Sequence, residues 1–249
     1  QERGSYFGIA LLVGVYKLLG RWILMAVMYP VIFYFYLTGT QARKASLHFL
    51  QKNYQFGKGQ YALKKAPGQR DVFKQFLTFG YSAIDKIDAL LGKITTKNIR
   101  FQHIDKFDAL YDQGRGAVLI GSHLGNIELC RSLGRRRRSK RINVLVFTKH
   151  AKSFNKALKK IDPDVEVDLI QVTDLSADLA IMLRERVDNG EYIVIVGDRT
   201  STSSFGRVNY SPFLGEDAAF SEGAFIFAGL MECPVFLLFC LKEEKQNYT

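Results

Sequence analysis

Gly121-Ser122-His123-Leu124-Gly125-Asn126-Ile127-Glu128 sets an imidazole and a carboxylate in sequence with four residues between them. A histidine can take a proton from a hydroxyl near neutral pH. A carboxylate on its other ring nitrogen fixes the tautomer and stabilises the imidazolium that forms. His123 is the candidate general base and Glu128 its candidate partner. Ser122 is a poor nucleophile for this base, because adjacent side chains of a strand point to opposite faces. The hydroxyl to be activated would then belong to a substrate. Asn126 is placed to cap the helix that follows, and that helix's N-terminus to support a developing oxyanion. The plainer alternative is a satisfied loop histidine and an acid favourable in a first helical turn.

A second segment carries Gly197-Asp198-Arg199-Thr200, Arg207 and Pro212-Phe213-Leu214-Gly215. Arg199 and Arg207 could bind an anionic group, since a guanidinium grips phosphate or carboxylate with two parallel donors. Lys149 and His150 follow another apolar run and could line the same site, or lie in a polar loop. His48 and His103 have no acid at useful spacing and read as structural. Cys130 reads as buried rather than nucleophilic. The alternating acids Asp162, Asp164, Glu166 and Asp168 read as solvated rather than as a metal site. HExxH, GxSxG, P-loop and GxGxxG patterns are all missing.

These residues need a scaffold, and the pattern after Gly116 supplies one. Runs 117–121, 142–147, 167–172, 192–196 and 235–240 are short and mostly apolar, as buried strands are. Amphipathic stretches near 126–134, 153–161, 175–189 and 221–231 fit helices between them. The expected fold is α/β, with a mostly parallel sheet flanked by helices and an N-terminal membrane-associated helical segment. In such sheets ligands bind at the carboxyl ends of the strands, and His123 would stand there. Before Gly116 the periodicity predicts helices over 44–54 and 71–91, a strand over 95–101, and a helix from Asp105 towards Gly114.

The N-terminal region is different in kind. No charged residue occurs between Arg21 and Arg43, and residues 22–37 are continuously apolar or aromatic. A membrane-crossing helix, an interfacial helix, a cleaved signal peptide and a buried core helix all fit that pattern, with Pro30 expected to kink it. The expected division is an anchor over residues 1–41 and a catalytic domain over 42–249.

Charge follows the same division. The 249 residues carry a net charge of +11. Residues 1–70 hold ten basic residues against the single acid Glu2, a net charge of +9, which leaves +2 for the remaining 179. The excess points to anionic lipid rather than nucleic acid. Arg135–Arg141, with six basic residues in seven, reads as a docking patch for membrane or an acidic carrier protein, or as a solvated helix end. Three cysteines exclude a disulfide scaffold.

Taken together, GSHLGNIE and GDRT…PFLG…AF…G resemble the bacterial lysophospholipid acyltransferase superfamily, nearest its lauroyl and myristoyl acyltransferases of lipid A biosynthesis. The resemblance covers most of the chain and includes Glu2-Arg3-Gly4-Ser5 ahead of the apolar segment. It implies transfer of a fatty acyl chain from an acyl carrier protein or coenzyme A thioester to a hydroxyl of a membrane lipid. It also implies the cytoplasmic face of the inner membrane as location, and no metal or cofactor. His123 would be the base and Glu128 its orienting partner. Arg199 would bind an anionic group of acceptor or donor, with Asp198 holding Arg199 or a loop in place. Phe213, Leu214 and Gly215 would form a turn against the acyl channel. Many lipid A enzymes have Asp-Gln where this chain has Asp198-Arg199, which points to a different acceptor, such as that of ornithine-lipid or aryl-polyene relatives. Relatives also continue past the point matching Thr249, so a C-terminally shortened piece is expected.

Overall fold

The computed structural model describes residues 6–57, 63–130, 141–146, 167–172, 176–200, 207–243 and 247–249. Five strands form one sheet: β1 (Ala117–Gly125), β2 (Ile142–Val146), β3 (Val167–Gln171), β4 (Tyr192–Val196) and β7 (Val235–Cys240). Their order is β3-β2-β4-β1-β7, and all four pairings are parallel. Continuous apolar runs such as Tyr192–Val196 require cover on both faces. On one face Val118, Ile120, Ile193 and Ile195 meet Leu183 and Val187 of α5 (Ala177–Asp188) and Phe227 of α6 (Gly223–Leu230). On the other, Ala117, Leu119, Tyr192 and Val194 meet Leu110 and Phe107 of α4 (Ile104–Asp112).

Three features differ from the sequence reading. Over 95–101 there is a 3-10 turn, Thr96–Asn98, closed by a capping box with Thr95, and Ile99 makes only an isolated bridge to Tyr248. The capping box satisfies locally the backbone groups that a strand would have offered to a neighbour. Within 126–134 the described part is a 3-10 turn, Ile127–Cys130. The third feature is a hairpin that the apolar-run criterion passes over, β5 (Val208–Phe213) and β6 (Glu216–Ser221), whose residues are largely exposed. The expected helix near 153–161 lies outside the described residues.

The chain divides into two compact units, residues 1–87 with 212–217, and residues 88–211 with 218–249. The first holds α1 (Tyr6–Thr38), α2 (Thr40–Phe56) and most of α3 (Gln69–Leu90). The break in α1 falls at Gly20 (φ 79°, ψ 174°), and helical dihedrals continue through Pro30. Glycine enters positive φ without a Cβ penalty, whereas the fixed φ of proline is itself helical. Past the break, α1 packs on α3 through Arg21–Asp85 (2.6 Å), Ile32 against Gly80, and edge-on contacts of Tyr29, Phe33 and Tyr36 with Phe73. Arg43 closes the helix end by donating to the Tyr36 and Leu37 carbonyls (2.6 and 2.8 Å).

Candidate active site

The site forms where β1 and β4 end side by side. Their parallel register pairs Gly121 with Val196, and the Gly197 N–H continues the ladder to the Gly121 carbonyl (3.0 Å). Two residues further along each strand stand His123 and Asp198. The Asp198 carboxylate receives both hydrogen bonds that His123 can send it. The backbone N–H donates to Oδ2 (2.6 Å) and the ring Nδ1 to Oδ1 (2.8 Å). A carboxylate is an acceptor only, so Nδ1 carries the proton and Nε2 of the neutral ring keeps its lone pair. The His123 side chain is 42% exposed and can meet a substrate. Burial raises the Asp198 pKa, but the two hydrogen bonds and the nearby imidazole outweigh it, and the carboxyl lies below its ordinary value.

Asp198 therefore orients His123, and it forms no ion pair with Arg199 among the described residues. Strand register decides this, and sequence spacing does not contain it. Glu128 has its backbone in the 3-10 turn, but its side chain lies outside the described residues. Lys149 and His150 also lie outside them, as do residues 135–140 of the arginine run and Asp162, Asp164 and Glu166. Arg199 and Arg207 are exposed, and Asp168 instead pairs with Arg186 (3.5 Å).

Asn126 corrects a second expectation. It is 3% exposed, and among the described residues neither its side-chain oxygen nor its nitrogen has a hydrogen-bond partner, so its side chain caps no described helix. Its backbone does the positioning: the N–H donates to the Cys240 carbonyl (2.8 Å) and its own carbonyl accepts from Leu129. At the expected helix N-terminus the described residues form a four-residue 3-10 turn, Ile127–Cys130. Gly125 makes the approach to β7 feasible. At φ 88°, a Cβ there would stand 1.9 Å from the Cys240 oxygen.

Leu124, the neighbour of His123, lines an apolar cavity of about 530 Å³, whose lining residues do not include His123 itself. Phe101, Phe107, Leu119, Leu129 and Leu238 line it, and Arg100, Gln102 and His103 add polar groups. Its size falls within the ~300–1,000 Å³ usual for small-molecule sites. The β1–β7 register shifts between Gly121 and Gly125, so simple strand alternation does not predict Leu124 as a cavity residue. His103, read as structural, adopts φ 53° before α4 and reaches this lining. Cys240 is buried in the same wall, and desolvation pushes its thiol up to about 12, which makes it unreactive.

Phe213, Leu214 and Gly215 do form a turn. Leu214 (φ 51°) and Gly215 (φ 82°) occupy the two central positions of the β5–β6 hairpin. Within its own unit Gly215 packs on the Phe56 ring, and Glu216 pairs with Lys52. No family model and no curated protein matches the chain.

Proposed function

We propose that this protein is an acyltransferase that moves a fatty acyl chain from a carrier-protein or coenzyme A thioester to a hydroxyl of a membrane lipid, at the cytoplasmic face of the inner membrane. The observation that carries the reading is the His123–Asp198 pair, oriented for base catalysis, with an apolar cavity opening at the adjacent residue. Nε2 takes the proton of the acceptor hydroxyl as its oxygen attacks the thioester carbonyl. The tetrahedral intermediate collapses, the C–S bond breaks, and the imidazolium returns the proton to the departing thiolate. Asp198 stays ionised and stabilises the imidazolium between these steps. The cavity holds the acyl chain by apolar burial, about 0.8 kcal/mol per methylene. Arg199 and Arg207 are exposed, where they can meet the anionic groups of donor or acceptor, and with Nδ1 of His123 held by Asp198 the orienting role that the resemblance gives Glu128 falls to Asp198. The acceptor in this reading is a lipid A precursor or a related glycolipid or aminolipid.

The direct test supplies acyl carrier protein or coenzyme A thioesters and follows lipid products by mass spectrometry. Wild type should yield acylated lipid, and His123→Ala none, with its circular dichroism unchanged. Near-normal turnover in the variant would remove His123 from the mechanism. Free fatty acid without acylated lipid would instead mark a thioesterase.

A further inference from the structure

The segment of α1 after Gly20 is covered on one side only. Leu24 and Ile32 are buried and Met25, Met28 and Tyr36 half-buried, a stripe at helical spacing that faces α3. Around the rest of the helix Trp22 (80% exposed), Val27, Val31, Tyr34, Phe35 and Leu37 face outward, with no charge among them. A continuous apolar surface of that extent is not left in water by soluble proteins. We propose that it docks into an anionic phospholipid bilayer lying in the plane of the interface, and does not cross.

Length alone would allow crossing, since Gly20–Thr38 spans 19 residues, roughly 28 Å against a hydrocarbon core of about 30 Å. The neighbour decides otherwise. α3 runs antiparallel along this entire length, from Tyr36 Oη donating to Gln69 Oε1 (2.9 Å) at one end to Arg21–Asp85 at the other. A crossing α1 would draw α3 in with Arg70, Asp71, Lys74, Asp85 and Lys86, of which Arg70 and Lys74 are exposed. Charges at such depth are strongly unfavourable. Crossing alone would break the Arg21–Asp85 pair, whose carboxylate is buried. Lying flat resolves the conflict, because the aromatic face enters the headgroup boundary while α3 stays on the aqueous side. Tryptophan and tyrosine suit that depth. The charge fits the partner: one acid in the first 70 residues, and exposed Lys44, Lys64, Lys65 and Arg70.

The proposal does not depend on the acyl-transfer reading, and its test needs no substrate. Trp22 is the chain's only tryptophan, so its fluorescence reports depth directly. The full chain is mixed with phosphatidylcholine vesicles, with or without about one third phosphatidylglycerol, carrying bromolipids brominated at successive acyl positions. The Trp22→Phe, Val31→Trp double variant moves the single indole to mid-helix. Expected are binding that favours the anionic vesicles and the same shallow depth for both indoles. Phe35→Glu, at an exposed position that leaves the fold intact, should weaken partitioning about tenfold. A mid-helix indole near the bilayer centre overturns the in-plane arrangement. Equal binding to both vesicle types overturns the anionic preference. No vesicle binding, or binding indifferent to Phe35→Glu, overturns the docking face.

Discussion

The imidazole of His123 is oriented from another strand, and this makes Asp198 a positioning residue whose loss should be felt through the ring. Replacing Asp198 by Asn keeps the shape but lets an amide N–H face Nδ1, which favours the tautomer with its proton on Nε2, where the base needs a lone pair. Turnover should fall about 10³–10⁴-fold, the scale of loss when the aspartate of a serine protease triad is replaced in the same way, with KM much less affected. Rapid kinetics of purified variants checks the split, and a raised KM with kcat largely kept would argue for damage to binding instead. The same carboxyl ties stability to pH. Its folded pKa is depressed below the ordinary value of 3.8, so its contribution is full above that value and lost as pH falls through the folded one. The stability gap between wild type and Asp198→Asn should therefore narrow as pH falls below about 4. Denaturant melts across that range test it. His123 itself is legible in the sequence, because a histidine after an apolar run stands at a strand end. Its Asp198 partner is not: 75 residues separate the two, and only the register of Gly121 with Val196 brings them together.

At the scale of elements, the site is held by how β1 leaves the core. Residues 117–121 are buried, and the strand then continues through exposed His123 and Leu124 to Gly125, where it rejoins β7 after a register shift. Gly125 is the pivot, since its φ of 88° disfavours any side chain and its Cα faces the Cys240 carbonyl. Gly125→Ala should cost roughly 3 kcal/mol from backbone strain and displacement of β7, a fall in Tm of roughly 6–12 °C. Thermal melts measure it, and a variant as stable as wild type would show that the β1–β7 junction is more adaptable than its packing indicates. All five sheet strands can be read from their mostly apolar runs, most plainly β4 and the first half of β1, which are buried on both faces and show no alternation, whereas β7 leaves Val235, Leu237 and Phe239 exposed. The β5–β6 hairpin cannot, because its exposed residues give neither an apolar run nor a buried stripe; only the Leu214-Gly215 turn marks it. The Thr95–Asn98 turn escapes for a related reason, since β-branched residues there favour a strand until a local capping box intervenes.

For the whole molecule, the proposed bilayer docking would draw on the charge and on the apolar helix, which respond to different conditions. Net charge of +9 on residues 1–70 acts through solvent and is screened, whereas the aromatic face of α1 acts by burial and is not. Salt separates them. Between about 0.1 M and 1 M the Debye length falls from roughly 10 Å to 3 Å, which removes most of the long-range attraction. Each basic residue near an anionic surface contributes about 1 kcal/mol at low salt, so the loss is large if several reach the membrane. Binding to anionic vesicles should therefore weaken at least tenfold over that range and level off at a finite value, the affinity that the same protein shows for neutral vesicles. Phe35→Glu should lower that plateau, whereas Lys44→Gln, at an exposed position, should lower only the salt-dependent part. Vesicle sedimentation at stepped salt resolves the two. Binding abolished outright by salt would mean that the aromatic face never enters the bilayer, and binding unmoved by salt would mean that the N-terminal charge serves another purpose.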